Sequence, residues 1–101
     1  MGLDFAIDEL YATGWLPLDT SGCNRAPDGR AYPSVERAQR EFAQQGYELT
    51  VRHVPAFGCC HAEWSDGAGP AGAVVGHTEE EAVVYAFSQF RRRQTALAAG
   101  V

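Results

Sequence analysis

The sequence predicts an α+β domain in which two helices pack on one face of a three-stranded antiparallel sheet, with an extra short helix at the N-terminus. Two observations lead to this fold class. Between residues 47 and 65 apolar and polar side chains alternate in two runs, which is the period of half-buried strands. On both sides of that region apolar residues recur at the spacing of amphipathic helices. The predicted order is helix, helix, strand, strand, strand, helix, because each apolar helix face must bury against the apolar sheet face.

The last predicted helix, over residues 76–93, carries every device that specifies a helix. Thr78 can cap the first turn while Glu81 reaches back to the Thr78 amide, the reciprocal arrangement of a capping box. Carboxylates at the start and guanidinium groups at the end complement the helix dipole. Between them the apolar residues form one stripe, consisting of Ala82, Val83, Ala86, Phe87 and Phe90. We expect the other elements to pack onto this helix.

The N-terminal part predicts one helix and one long loop. Residues 4–13 have a partial apolar face, and Gly14 supplies the residue type that ends helices. Residues 15–18 contain Pro17 and are expected to lie extended over the core. Residues 19–33 are rich in turn formers, and Asp28-Gly29 predicts a tight turn within a loop. A loop of this length is often functional or mobile.

A second helix is predicted from residue 34 to residue 45. Ser34 is a good N-cap, and Gly46 ends the helix. Its expected core side consists of Val35, Ala38 and Phe42, and its solvent side of Arg37, Arg40, Glu41 and Gln44.

Strands are predicted at residues 47–54, 59–65 and 73–76, joined by short antiparallel connections. With Leu49 and Trp64 pointing to the core, the other face of the sheet is left open. Arg52, His61 and Glu63 would lie on or near that open face.

At 101 residues the chain is long enough for one domain that buries about two-thirds of its unfolded surface. We divide it into an N-terminal helix and loop over residues 1–32, an α-β-β-β-α core over 33–93 and a C-terminal tail over 94–101. No apolar run approaches the roughly 18 residues of a membrane span, and no signal peptide is expected. Three cysteines, two of them adjacent, fit reduced surroundings. The expected location is the cytoplasm, with no membrane partner.

The region from Pro33 to Arg93 resembles the double-stranded RNA-binding domain family in its element order, in Gly76 before the last helix, and in Ala82 and Ala86 along that helix. In that family the last helix begins with a lysine-rich motif that grips phosphates. Here the matching positions read Thr-Glu-Glu-Glu, so the charge is reversed. The loop between the first two strands also lacks a basic residue. The resemblance therefore implies the fold, whereas binding of double-stranded RNA is not expected.

Cys59, Cys60 and His61 raise the question of a metal site or a catalytic nucleophile. Adjacent side chains on a strand face opposite ways, so Cys59 and Cys60 cannot share a tetrahedral ion, and we expect no metal and no cofactor. Cys59 and His61 do share a face, but a third group that would orient the imidazole is not evident in the sequence. We therefore expect structural cysteines and a protein that is not an enzyme.

The net charge of −5 disfavours generic nucleic-acid binding, although all eight cationic residues are arginines and three of them are consecutive. The first hypothesis is a non-catalytic interaction or accessory module that binds another protein through its open sheet face, its long loop or its acidic helix start, the last against a basic surface. Its candidate contact residues are Glu79, Glu80, Glu81 and Trp15.

The alternative is a nucleic-acid-binding module that uses Arg91, Arg92 and Arg93 together with Arg52 or Arg37. A monomer or weak homo-oligomer is expected in either case.

Overall fold

The computed structural model describes the backbone of residues 2–100 and the side chains of residues 2–94. Its helices are α1 (Leu3–Ala12), α2 (Val35–Gln44) and α3 (Glu79–Gly100), and its strands are β1 (Cys23–Arg25), β2 (Ala31–Pro33), β3 (Glu48–Val54), β4 (Cys59–Ser65) and β5 (Pro70–Gly76). The α+β class and the predicted order of the main elements are confirmed. A single 3₁₀ turn, Pro55–Phe57, joins β3 to β4.

The main sheet has the strand order β3-β4-β5, with both pairs antiparallel. Leu49 lies opposite Trp64, and Ala62 lies opposite Val74, so these residues share the face that carries α2 and α3. Burial of Leu49, Ala62 and Trp64 confirms which face of β3 and β4 points to the core. The third strand begins at Pro70, three residues earlier than predicted, because Ser65 pairs with Pro70 across a bulge.

Helix α3 is the element that most of the fold surrounds. It contacts all three strands of the main sheet on one side and α1 on the other. Val84 and Ser88 are buried as well as the predicted stripe, since α1 covers the side of α3 that faces away from the sheet. The helix also continues to Gly100, where a tail from residue 94 was predicted. No glycine or proline stands between Arg93 and Gly100, so the sequence offers no residue that would end the helix earlier.

An aromatic cluster joins the helices to the sheet. The ring of Phe42 on α2 stacks on that of Phe90 with centroids 4.3 Å apart, and it also contacts Trp64 on β4. Trp15 packs edge-on against Tyr11 of α1 and Phe87 of α3. Pairs of this geometry add about 0.5–1.5 kcal/mol each beyond the area that they bury. These contacts tie α1, α2 and α3 into one core.

The start of α3 is capped nearly as predicted. The Thr78 hydroxyl accepts a hydrogen bond from the Glu81 N–H at 3.1 Å. The Glu81 carboxylate, however, accepts from the N–H of His77, at 3.3 Å, rather than from that of Thr78. It reaches one residue further back because the His77 ring also lies within hydrogen-bonding distance, with Nδ1 at 3.3 Å.

The predicted loop over residues 19–33 contains a small hairpin, β1 with β2, closed by the predicted turn at Asp28 and Gly29. Arg37 holds the segment before it, because its Nη1 donates to the carbonyl oxygens of Asp19 and Ser21, each at 2.7 Å. Its Nε donates to Glu41 at 2.9 Å, and the residue is only 7% exposed. The prediction that Arg37 faces solvent is therefore wrong, since a distant segment covers that side of α2.

None of the helices in the described part of the chain combines the length and apolar composition that crossing a lipid bilayer would require.

Candidate interaction site

The three glutamates at the start of α3 do not form one exposed acidic patch. Glu79 is exposed, but a Glu80 oxygen accepts a hydrogen bond from the hydroxyl of Tyr32 at 3.0 Å. Burial, together with this bond to a carboxylate, raises the pKa of Tyr32. Glu81 is 5% exposed and binds His77, so little of its carboxylate is accessible, and its role in partner contact stays a prediction. A basic partner could therefore contact Glu79 and the part of the Glu80 carboxylate that Tyr32 does not engage.

Trp15 is 6% exposed and lies in the core between Tyr11 and Phe87. Little of Trp15 is therefore accessible to a partner, and its role in partner contact stays a prediction. Pro17 keeps the segment extended, as expected, but Leu16 and Leu18 rather than Trp15 point to solvent.

The arginines at residues 91–93 do not form one basic surface. Arg91 Nε donates to the Thr13 hydroxyl at 2.9 Å, and burial lowers the pKa of its guanidinium group. Arg92 forms an ion pair with Glu9 at 2.6 Å. Both thus contact α1 or the residue that follows it, whereas Arg93 lies beside β5. The three side chains therefore do not share one surface, and nucleic-acid binding through them stays a prediction.

Arg52 lies apart from those arginines, on the open face of the sheet. It is exposed and pairs in register with His61 of β4, while α3 lies on the opposite face. The structure therefore does not bring Arg52 together with Arg91, Arg92 and Arg93.

Cys59 and His61 share the open face as predicted, and Cys60 is buried on the core side, where burial raises the pKa of its thiol. The structure adds a contact that the sequence reasoning missed. His77 and Glu81, four residues apart, pair beside a cavity that Cys59 also lines. The capping-box spacing was a readable signal, because the glutamate three residues after the cap reaches back toward the chain before the helix. Among the described residues no three His, Cys, Asp or Glu side chains are arranged to hold a metal ion.

The feature that stands out is a groove between β5 and α3, which we call the β5–α3 groove. Its helix side consists of Glu81, Tyr85, Gln89 and Arg93, spaced four residues apart and so aligned along one side of α3. Its sheet side is β5. The two elements run in opposite directions, so residues near Gly76 face Tyr85, and residues near Pro70 face Arg93.

Three shallow cavities follow one another along the β5–α3 groove. The first, of about 430 Å³, is largely apolar and lies between Val74, Val75 and Tyr85. The second, of about 400 Å³, is bounded by the Ala71 to Val74 stretch and by Gln89. The third, of about 300 Å³, lies at the Pro70 end and is more polar. Arg93 lines both the second and the third.

Strand β5 is an edge strand without the usual protection. Its seven residues, Pro-Ala-Gly-Ala-Val-Val-Gly, carry no charge, and its proline is at the first position. Within residues 2–100 no other strand pairs with its outer edge. The opposite edge, β3, is partly covered, because Gln39 donates to the Leu49 carbonyl at 3.1 Å. Natural edge strands are usually blocked by charges, prolines or a covering element. In β5 the proline stands only at the first position, beside the bulge, and the other six residues carry neither a charge nor a proline.

Comparisons of the chain with protein-family models, with curated proteins and with solved structures find no match. The resemblance to double-stranded RNA-binding domains stays a prediction.

Proposed function

We propose that this protein is a non-catalytic interaction module that binds an extended segment of a partner protein by adding it as a fourth strand to β5. The observation that carries the proposal is the uncharged, unpaired edge of β5 beside the β5–α3 groove. An edge of this kind presents a row of backbone N–H and C=O groups that a second chain can pair with. In this mode of binding, backbone hydrogen bonds supply affinity and pockets for alternate side chains supply specificity.

The groove gives such a segment a place for its side chains. Alternate residues of an added strand would point to the same side of the sheet as Val74, and there they would enter the cavity beside Tyr85. Val75, which is 56% exposed, lines the same cavity and adds to its apolar surface. Contact with a partner would remove this surface from water, which favours association.

The other candidate surfaces support the proposal less well. Two of the three glutamates at the start of α3 already accept internal hydrogen bonds. The segment before the β1–β2 hairpin is held by Arg37. For nucleic acid, Arg91 and Arg92 are engaged by Thr13 and Glu9. A location in the cytoplasm belongs to the proposal, and three cysteines without a disulfide support it.

The proposal is tested with a neutral probe peptide, acetyl-STVTLTQTS-amide, added to the ¹⁵N-labelled full chain. Threonine and valine favour the extended conformation, and the third, fifth and seventh residues would face α3. We expect a dissociation constant on the order of 100 µM, because ordering a flexible peptide offsets much of its contact energy. Amide shifts and protection from hydrogen exchange should concentrate in β5 and in the helix side of the groove, which we call the α3 row and which consists of Glu81, Tyr85, Gln89 and Arg93. A proline-containing peptide of the same length serves as the negative control.

A second readout uses the cysteines. Cys59 lines the apolar cavity, whereas Cys23 lies in the β1–β2 hairpin and serves as an internal control. Bound peptide should slow alkylation of Cys59 by iodoacetamide and leave the rate at Cys23 unchanged, as measured by mass spectrometry. Shifts confined to other elements, or equal protection of both thiols, would reject strand addition at β5.

A further inference from the structure

We infer that the segment bound by β5 runs antiparallel to it and carries an acidic side chain that pairs with Arg93. The inference rests on the proposed function and specifies the partner. It follows from the spacing of the α3 row, from the change in polarity along the β5–α3 groove and from the charge of Arg93.

The spacing of the α3 row matches that of an extended chain. Four residues of an α-helix advance about 6 Å, and two residues of a strand advance about 6.8 Å. An added strand that follows β5 would therefore present one inward side chain to each of Tyr85, Gln89 and Arg93 in turn. Its inward positions would recur every second residue.

The polarity of the groove changes from one end to the other. Near Gly76 the walls are apolar, formed by Val74, Val75 and the ring of Tyr85. Burial raises the pKa of the Tyr85 phenol, with smaller contributions from Glu81 and Glu9, so the ring stays neutral there. Near Pro70 more of the exposed surface is polar, and the polar groups stand beside three aromatic rings; the lining residues are Asp66, Arg93 and Gln94 with Tyr47, Trp64 and Phe90. The matching segment is apolar at one end and acidic at the other.

Among the described side chains that line this groove, Arg93 is a cationic group that is available to pair with a partner. It is exposed, and among the described side chains no carboxylate lies within 4.0 Å of it, whereas Arg91 and Arg92 have partners on the α1 side. Asp66 lines the same end and keeps its negative charge, but its carboxylate accepts the N–H of Ala68 within the turn and lies more than 4.0 Å from the Arg93 guanidinium nitrogens. A guanidinium group with its five donors is well suited to a carboxylate.

The direction of the bound segment relative to β5 is inferred from the more common form of strand pairing. Antiparallel pairs outnumber parallel ones two- to three-fold. In an antiparallel segment the residue opposite Val74 would be apolar, and the carboxylate would stand two or four residues toward its C-terminus, near Arg93. A side-chain carboxylate is favoured over a chain end, because pairing along all seven residues of β5 requires chain on both sides.

A second copy of this protein fits less well. If two β5 strands paired with each other, the segment facing each groove would be Pro-Ala-Gly-Ala-Val-Val-Gly. Those seven residues place no carboxylate at an inward position, and the exposed Glu79 and Glu80 of the second copy follow Gly76 on α3, outside the paired strand. Charge complementarity therefore selects an acidic segment of a different protein.

The test compares three peptides of one length by fluorescence anisotropy: acetyl-STVTLTETS-amide, its glutamine form STVTLTQTS, and the isomer STVTLETTS, in which the glutamate faces the open side of the sheet. We expect the first to bind about threefold more tightly than the other two at low salt, which is typical of an exposed charge pair. Arg93→Gln should remove this preference while leaving the glutamine peptide unaffected. Arg52→Gln, the same charge change on the opposite face, is the matched control and should preserve the preference.

The direction of the bound peptide is determined with a nitroxide spin label at the peptide N-terminus, which broadens the signals of nearby amides. An antiparallel peptide should broaden the amide signals of His77 and Thr78, whereas broadening at residues 66–69 would overturn the stated direction. Equal affinity of all three peptides at β5, or loss of preference in Arg52→Gln, would overturn the role of Arg93 and leave strand addition intact. Failure of every peptide to reach β5 would instead reject the proposed function itself. Concentration-dependent self-association through β5 without peptide would overturn the acidic partner.

Discussion

Gly76 and Ala82 approach so closely that a Cβ atom on Gly76 would lie 2.6 Å from the Ala82 backbone nitrogen. Gly76 ends β5, and α3 begins three residues later, so the chain must turn from the sheet onto the helix within a very short connection. The same close approach forms the narrow end of the β5–α3 groove. One glycine thus joins the packing of the fold to the shape of the candidate site.

We expect Gly76→Ala to destabilise the fold by about 1–3 kcal/mol, because the added methyl meets backbone rather than a side chain that could move away. For a domain of this size the loss corresponds to a fall in Tm of roughly 10 °C, measurable by circular dichroism. Val75→Ala, one residue earlier and on the open face, should change stability by less than about 1 kcal/mol. Equal stability of Gly76→Ala and the parent protein would contradict the close approach.

We expect Arg37→Ala to destabilise the protein by about 2–3 kcal/mol. The change leaves two backbone carbonyls and the Glu41 carboxylate without their charged donor in a partly buried place. Arg37→Lys should recover only part of the loss, since an ammonium group lacks the fork that reaches several acceptors. Urea denaturation gives the free energies of unfolding.

The control for Arg37 is Arg40→Ala, one turn along α2, where the side chain is exposed. It removes the same charge and should cost no more than about 0.5 kcal/mol. Similar losses for both variants would show that charge, rather than the contacts to Asp19 and Ser21, explains the effect.

The arginine at position 37 also shows what the sequence could and could not predict. The strands and helices were predictable because each has its own apolar period, and the Ser34 and Thr78 caps act within one turn. Which side of α2 is covered depends on residues 19–21, about 16 residues away, and no local pattern reveals that contact. The three-residue strands β1 and β2 are likewise too short to show a period.

The helix side of the β5–α3 groove could be predicted from the sequence, but its sheet side could not. The spacing of Glu81, Tyr85, Gln89 and Arg93 can be read from the sequence as one line on a helix. That this line borders β5, and that β5 is an edge, follows from the placement of α3 across the sheet. Trp15 likewise depends on a distant residue, because Phe87, far along the chain, helps to bury it.

The stability of the fold should decrease in acid, because two carboxyl groups in and before the β1–β2 hairpin, Asp28 and Asp19, have lowered pKa values. The backbone N–H of Arg30 donates to Asp28 at 3.0 Å and, with the Arg30 side chain, holds the pKa of Asp28 below its ordinary value. A backbone hydrogen bond from Ser21 lowers the pKa of Asp19 in the same way. A carboxyl group with a lower pKa in the folded state stabilises the fold above its unfolded pKa, and that contribution is lost as pH falls through the folded value.

Thermal unfolding followed from pH 7 down to pH 2 tests this expectation. Tm should begin to fall below about pH 4, where the unfolded carboxyls start to bind protons. Asp28→Asn cannot titrate, so its Tm should fall less steeply over the same range. Identical profiles for the variant and the parent protein would place the acid sensitivity elsewhere.

We expect no binding of duplex RNA in an electrophoretic mobility assay at low salt. The resembling family needs lysines at the start of its last helix, and here that position carries Glu79 and Glu80, both exposed. Each phosphate contact that is absent also removes about one unit from the salt dependence of binding.

A known double-stranded RNA-binding domain serves as the positive control, and duplex DNA and single strands are run alongside. Micromolar binding that weakens steeply with salt would favour the nucleic-acid alternative, and its loss in Arg93→Gln but not in Glu79→Gln would then assign the contact to the β5–α3 groove.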